Sequence, residues 1–321
     1  MDTSPMRPPG TEVVGRRVSV RHRLPDGSAS DVVGRVLEVA PSLRLERRDG
    51  TVGTVDPATV LIWRLVPDRP VRARRATATP VPQLARIMSR GWPAVESVSL
   101  DAWELRASGG FTKRANSASA PVPPEAPLTE VAGSVEAFYR DRGLRPLVQV
   151  EAGSDLERDL GALGWTPLVG GDTDVLVAQL DRRWPLDPDA VLAREADDAW
   201  LATYLGPSED PADARQVLEA PSSVAHVRIG DAIARVAVTG EWAGLTALWV
   251  PERARRQGLA RRLVTTCLGW AVERGADKAY LQVEVGNDAA LALYRTFGFV
   301  DHHAYRYLTS PGSTGTPQPM P

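Results

Sequence analysis

The stretch Leu248-Trp-Val-Pro-Glu-Arg-Ala-Arg-Arg-Gln-Gly-Leu-Ala-Arg-Arg-Leu263 decides the reading of this chain. It runs from a strand through a basic turn into an amphipathic helix, whose apolar stripe is Leu259, Leu263, Cys267, Trp270 and Ala271. The helix therefore begins near Gly258, where backbone N–H groups lack intrahelical partners. Gly258 and the small Ala260 let a ligand approach the backbone, and Arg253, Arg255, Arg256, Arg261 and Arg262 surround the turn with positive charge. A phosphate-bearing ligand suits such a turn, although a helix starting on a solvated face can carry the same residues.

The residues downstream give that turn its meaning. Leu281-Gln-Val-Glu-Val-Gly-Asn287, then Ala290, Leu293-Tyr294 and Gly298-Phe299, spell a strand, a helix and a further strand, with polar residues gathered at the strand end. Upstream, strands over 223–229, 232–239 and 243–250 precede the helix at 258–274. A similar order, helix 81–91, helix 131–138, strand 146–150, helix 156–163 and strand 174–180, occupies the preceding hundred residues. Ser108-Gly109-Gly110 reads as a hairpin turn between strands at 99–106 and 111–117. The segment 11–66 shows short alternating strands separated by Pro25-Asp26-Gly27, Ala40-Pro41-Ser42 and Asp49-Gly50, the pattern of a small β-barrel.

Residues 243–308 closely resemble the GNAT superfamily of acetyl-CoA-dependent N-acetyltransferases. Arg255-x-x-Gly258-x-Ala260 matches that family's acyl-CoA pyrophosphate loop, and Asn287-x-x-Ala290-x-x-Leu293-Tyr294-x-x-x-Gly298-Phe299 matches its later motif. The whole layout is similar to actinobacterial members with an N-terminal SH3-like barrel and tandem GNAT-like modules. The resemblance implies an α/β fold with a mixed sheet flanked by helices, the GNAT acyl-CoA N-acyltransferase fold. It divides the chain into an SH3-like barrel over 11–67, a degenerate module over 72–181, a catalytic module over 187–309 and a disordered tail over 310–321. Pro121 to Pro127 stands where the degenerate module would need a glycine-rich phosphate loop, so that module reads as a scaffold.

The resemblance further implies transfer of an acetyl group from acetyl-CoA to a primary amine, of a small molecule or of a protein lysine or N-terminus, by direct attack in a ternary complex. Arg255, Arg256, Gln257, Gly258, Leu259, Ala260 and Arg261 would then receive the diphosphate, and Leu248, Trp249 and Val250 the amide-rich pantetheine. Asn287 either touches the pantetheine or caps the helix next to it. Tyr294 stands at the family's general-acid position and is otherwise a core tyrosine. Glu284 and Glu241 are candidates for the base, or else solvated carboxylates at strand ends. Trp200, Trp242 and Trp249 line an acceptor pocket or belong to the core. A different class remains open, an acetyl-CoA-binding regulator whose barrel holds protein or nucleic acid.

Composition sets the outer bounds. The chain has 321 residues, 43% hydrophobic and 24% charged, with a formal net charge of -2, which suits a folded protein of two or three domains with no overall bias toward nucleic acid. A single cysteine, Cys267, excludes an internal disulfide and a clustered thiolate metal site. His22, His226, His302 and His303 lack ligand spacing, and adjacent His302 and His303 in a strand should face opposite ways. The expectation is a cytoplasmic protein without metal, without a membrane span and without nucleic acid as partner, its oligomeric state left open.

Overall fold

The structure, a computed structural model, describes residues 8–24, 27–47, 51–66, 75–180, 184–205 and 211–312. It divides into two compact units, Met1–Ala73 and Arg74–Pro321. In the first, β1 (Arg17–Arg23), β2 (Ala29–Glu38), β3 (Leu43–Glu46), β4 (Val52–Val55) and β5 (Val60–Leu65) form an antiparallel sheet in the order β4-β3-β2-β1-β5. Alternation places Val18, Val20, Val36, Leu43, Leu45, Val55 and Val60 in one buried cluster. This is the small barrel-like unit that the turn spacing predicts.

The second unit comprises α1 (Val81–Gly91), β6 (Glu96–Leu100), β7 (Trp103–Ala107), β8 (Ala118–Ala120), α2 (Leu128–Arg140), β9 (Leu147–Glu151), α3 (Asp155–Ala162), β10 (Thr166–Pro167) and β11 (Thr173–Gln179). Next in the chain come β12 (Val191–Ala193), α4 (Asp198–Leu205), α5 (Pro211–Glu219), β13 (Val224–Ile229), β14 (Ala232–Thr239), β15 (Trp242–Trp249), α6 (Leu259–Glu273), β16 (Lys278–Glu284), α7 (Asp288–Arg295) and β17 (Val300–Thr309). All of its strands join one mixed sheet, β12-β13-β14-β15-β16-β11-β17-β9-β8-β7-β6, with β10 on β17.

The order of that sheet interleaves the stretches 72–181 and 187–309. β11, from the first, lies between β16 and β17 of the second, and β17 pairs on its other side with β9. Two parallel pairs, β8·β9 and β15·β16, interrupt the antiparallel run. Under one face α6 buries Leu263, Val264, Cys267, Leu268, Trp270 and Ala271 against Ala234, Val236, Leu245 and Leu281. Each fully buried aliphatic side chain contributes about 1.5–3 kcal/mol, so α6 is fixed by packing and its N-terminus is held in place at the sheet.

Three expectations are corrected. The hairpin between β6 and β7 turns at Asp101-Ala102, not at Ser108-Gly109-Gly110, since Leu100 pairs with Trp103 and Asp101 takes φ 53°. An aspartate tolerates that left-handed position, and its Oδ2 accepts from the amides of Glu125 and Ala126 at 2.6 and 3.0 Å. Residues 111–117 are not a strand: a 3-10 turn at Lys113–Ala115 replaces it, and Asn116 Oδ1 accepts from the amides of Ser108 and Gly110. His302 and His303 do not face apart, because a register shift in β11·β17 brings their Nδ1 atoms within 2.8 Å. Thr309 and Ser310 are buried, and residues 313–321, most of the expected tail, lie outside the described residues.

Candidate active site

β15 and β16 run parallel for four rungs, from Trp242↔Lys278 to Leu245↔Leu281, and pair no further. β15 continues to Trp249, while β16 stays paired with β11 to its last residue, where Gln282 faces Val175 and Glu284 faces Thr173. One extra residue in β15 helps part them. Ile233 pairs with Trp249 but Arg235 with Thr246, and Ala247 takes φ 53°. A bulge of this kind re-aims a strand and frees its backbone groups. The gap therefore opens beyond Leu245, beside Leu248, Trp249 and Val250.

The loop from Pro251 to Gly258 returns from that gap to α6. Arg256 has φ 64° and Gly258 φ 78°, two left-handed positions close together, the second of them the N-cap of α6. The first i→i−4 bond of α6 runs from the Arg262 amide to the Gly258 carbonyl at 3.1 Å. The N–H groups of Leu259, Ala260 and Arg261 thus precede the helical ladder and point out of its end, where the dipole favours an anion. Arg256 is a non-glycine residue in the left-handed region, so the loop holds backbone strain there.

The five arginines do not all face that end. Arg262 is taken by Asp187 and Asp189 at 2.6–2.7 Å, and Arg253 by Asp231 at 2.8 Å. Arg255 lies 3.6 Å from Glu252, donates to the Val250 carbonyl and sits 5.8 Å from the Trp249 ring. Arg261 rests over Phe297 at 5.4 Å. Among the described residues, Arg256 and Arg261 keep their charge without a carboxylate partner and are exposed at the loop.

Asn287 caps α7, its Oδ1 accepting from the Ala290 amide at 3.1 Å, which leaves its amide nitrogen for a ligand. Two turns on, Tyr294 is buried against Phe299 in the α6 core. Its hydroxyl makes no hydrogen bond to protein among the described residues, and burial, with Cys267 adding to it, raises its pKa far above the ordinary phenol value. The phenol therefore keeps its proton at neutral pH. Cys267 is fully buried, and desolvation pushes its thiol up to about 12, which leaves it no nucleophilic role.

The two base candidates separate. Glu284 is exposed at the C-terminal end of β16, on the gap side. Glu241 precedes the first residue of β15, at the far end of a strand of 8 residues, which is about 25 Å away at roughly 3.3 Å per residue. There it pairs with Lys278 Nζ at 2.8 Å, and with Asp277 it outweighs the desolvation that acts first on that buried ammonium, so the Lys278 pKa is raised. The tryptophans divide as well: Trp200 and Trp242 are core, and Trp249 is exposed beside the gap.

On the face of the sheet opposite α6, the structure gathers residues that sequence reasoning missed. Arg235 projects from β14 fully buried, donating to the carbonyls of Leu218 and Gly91 and to Thr246 Oγ1 at 2.9–3.2 Å. Desolvation, with Arg114 adding to it, pushes its guanidinium pKa down to about 10. Trp92 carries both Arg114 and Arg235 over its ring, at 5.1 and 4.9 Å. Tyr280 fills the space that glycine leaves at positions 91 and 244, where an added Cβ would meet its hydroxyl. The one sequence signal was a charge at the centre of the apolar run Ala232-Ile-Ala-Arg-Val-Ala-Val238. Among the described residues no group of three or more His, Cys, Asp or Glu could hold a metal, and no helix is long and apolar enough to cross a membrane.

A parallel strand pair that parts beside a helix N-terminus with a left-handed glycine cap defines an acetyltransferase of the GCN5-related type. The same fold is seen in a GCN5-related N-acetyltransferase from Kribbella flavida, with a TM-score of 0.51 at 17% identity, covering 73% of this chain and 96% of that one. Residues 79–308 match the family described as "Probable histone acetyltransferase Rv0428c C-terminal", and residues 12–64 match the Rv0428c N-terminal Sm-like domain. The chain belongs to this family and is an N-acetyltransferase. The probable histone acetyltransferase Rv0428c of Mycobacterium tuberculosis is 34% identical over 307 residues, 92% of this chain and 95% of its own. An uncharacterized N-acetyltransferase, YobR of Bacillus subtilis, is 25% identical over 250 residues, 70% of this chain and 97% of its own.

Proposed function

We propose that the stretch 187–309 transfers an acetyl group from acetyl-CoA to a primary amine by direct attack, both substrates being bound together. The observation that carries this reading is the parting of β15 from β16 directly beside the amides that open α6. In this reading the loop from Arg255 to Arg261 holds the diphosphate through backbone N–H groups, and Arg256 and Arg261 add charge. The pantetheine extends along Leu248 to Val250 as an added strand, where the bulge has freed the ladder. A backbone N–H near Val250 stabilises the negative charge that develops on the carbonyl oxygen. The amine nitrogen bonds to the carbonyl carbon as the carbon–sulfur bond breaks. Glu284 takes the proton of the attacking ammonium, directly or through water, and Tyr294 returns one to the leaving sulfur.

The stretch 72–181 binds no CoA in this reading and is a scaffold for the donor site, since the loop before α2 runs through Pro121 to Pro127 and has no counterpart of Gly258. The unit over 11–67 is an accessory domain in this reading. The test is acetyl-CoA consumption across amino acids, amines, lysine peptides and proteins, with Tyr294→Phe as control. Turnover reduced about 10- to 10⁴-fold in Tyr294→Phe with acetyl-CoA affinity retained is the expected result. Binding of acetyl-CoA without transfer to any acceptor would favour the regulatory alternative.

A further inference from the structure

Arg106 shows how this fold keeps an arginine for structure. It is 3% exposed, and its guanidinium donates to the Ser117 carbonyl, Ser89 Oγ, Ser117 Oγ and Gln149 Oε1 at 2.7–3.1 Å. Arg114 is different. Its Nε and Nη1 are sealed from solvent and have no partner, and the same holds for Nη2 of Arg235 and Nε2 of Gln282. Among the described residues no carboxylate pairs with either guanidinium. The titratable groups nearby are Lys113, which donates to the Gly170 carbonyl at 2.7 Å, Glu284, which acts on Lys113, and four tyrosines, Tyr305, Tyr307, Tyr204 and Tyr280, which raise the Arg114 pKa against the desolvation that acts first on it. Burying a guanidinium without a carboxylate partner costs several kcal/mol, of which the contact with the Trp92 ring offsets only a part. Water can satisfy such donors, whereas an anion satisfies the donors and the charge at once.

We propose that Arg114 and Arg235 form a carboxylate subsite, so that the amine acetylated here carries a carboxylate of its own. This rests on the transferase reading above. Its position supports the assignment: Thr246, bonded to Arg235 at 3.2 Å, is the first residue of β15 beyond the last rung at Leu245↔Leu281. The subsite therefore lies beside the point at which β15 and β16 part. Tyr280, Gln282 and Glu284 alternate along β16 onto the same face. A carboxylate on the arginines leaves the ammonium of the same molecule directed at the gap, toward the carboxylate of Glu284. Trp92 and Arg114 come from the stretch 72–181, which on this reading completes the acceptor site. A cationic peptide would meet two guanidinium groups where it needs an anion.

The same carboxylate could enter on the acyl group, as in a succinyl thioester, and the experiment separates the sources. Glycine, β-alanine, 4-aminobutyrate and 6-aminohexanoate are compared with their carboxamides as acceptors, and succinyl-CoA with acetyl-CoA as donor, in the full chain and in Arg114→Gln. Among the described residues Arg114 shows no hydrogen bond from its guanidinium to protein, so this variant should fold, checked by its melting temperature and acetyl-CoA affinity. The expected result is a preference of at least about 10-fold for the carboxylates. Arg114→Gln then raises their KM about 10- to 100-fold, changes kcat little and leaves the carboxamides unaffected. A preference for succinyl-CoA that disappears in Arg114→Gln supports the subsite and assigns it to the donor. Equal use of carboxylates and carboxamides, an equal loss on both in the variant, or a preference for lysine peptides would overturn it. Calorimetric titration of the same amino acids reads the subsite without turnover. Binding that depends on Arg114 in the absence of transfer would refute the transferase reading alone. Should Arg114→Gln fail to fold, discrimination between carboxylate and carboxamide by the unaltered protein decides.

Discussion

Gly258→Ala isolates the backbone of the candidate diphosphate loop. The residue caps α6 at φ 78° and ψ 0°, and a Cβ built there meets nothing within 4 Å, so the substitution introduces no clash. What remains is the cost of holding an alanine in the left-handed region, about 1–2 kcal/mol. In a unit of this size about 1 kcal/mol moves the melting temperature by roughly 2–4 °C, which gives an expected fall of about 2–8 °C. Rotation of the Gly258 peptide relieves the strain and moves the amides of Leu259, Ala260 and Arg261, which the proposed diphosphate site uses. Losing one charge-assisted hydrogen bond, about 1.5–3 kcal/mol, raises the dissociation constant of acetyl-CoA about 10- to 100-fold. Two assays on the purified protein check this, thermal denaturation without ligand and calorimetric titration with acetyl-CoA. A lowered melting temperature with unchanged affinity would refute the reasoning, since the strained loop would then not be the one that binds the diphosphate.

The other predictions concern protons and ion pairs. Glu284→Gln should remove the acidic limb of the pH–rate profile, whereas Glu241→Gln should keep that limb and lower the melting temperature by leaving buried Lys278 with Asp277 alone; the reverse pattern would exchange their roles. Cys267 should resist thiol reagents in the native protein up to at least pH 9 and react once it is unfolded, because it is fully buried and its thiol is pushed up to about 12; rapid native labelling would contradict its place in the α6 core. Hydrogen bonding to Arg262 holds the Asp187 carboxyl below the usual carboxylate range. A lowered folded pKa stabilises above the unfolded value of about 3.9 and loses that contribution as pH falls through the folded one. Asp187→Asn should therefore lower the melting temperature at pH 7, with the difference closing below about pH 4; a constant difference across that range would show the ion pair is not its source.

Much of this architecture could be read because it is local. The helix predicted over 81–91 is α1 as found, the strand over 232–239 is β14, and the stripe from Leu259 to Ala271 is the buried face of α6. The turn at Gly258 was readable for the same reason, since a glycine before an amphipathic stripe is a statement about a few consecutive residues. What could not be read depends on partners far along the chain. β11 is a short apolar run and β17 a mixed strand, and nothing in their residues says that β11 inserts between β16 and β17. The facing of His302 and His303 arises from a register shift, which is a property of the strand pair and not of either strand. Glu241 and Glu284 are alike as sequence, and only the direction of two parallel strands puts them at opposite ends. Arg114 is the limiting case. In sequence it is one arginine beside Lys113 in a polar loop, and in the fold it meets Trp92, which precedes it by 22 residues, near Arg235, which lies 121 residues further on. Each of the two arginines alone is a residue that a fold would satisfy with carbonyls, as Arg106 is satisfied. Their shared ring and open donors exist only once β14, the end of α1 and the turn at Lys113–Ala115 have packed together, so the proposed carboxylate subsite belongs to the tertiary structure and the candidate diphosphate loop to the sequence.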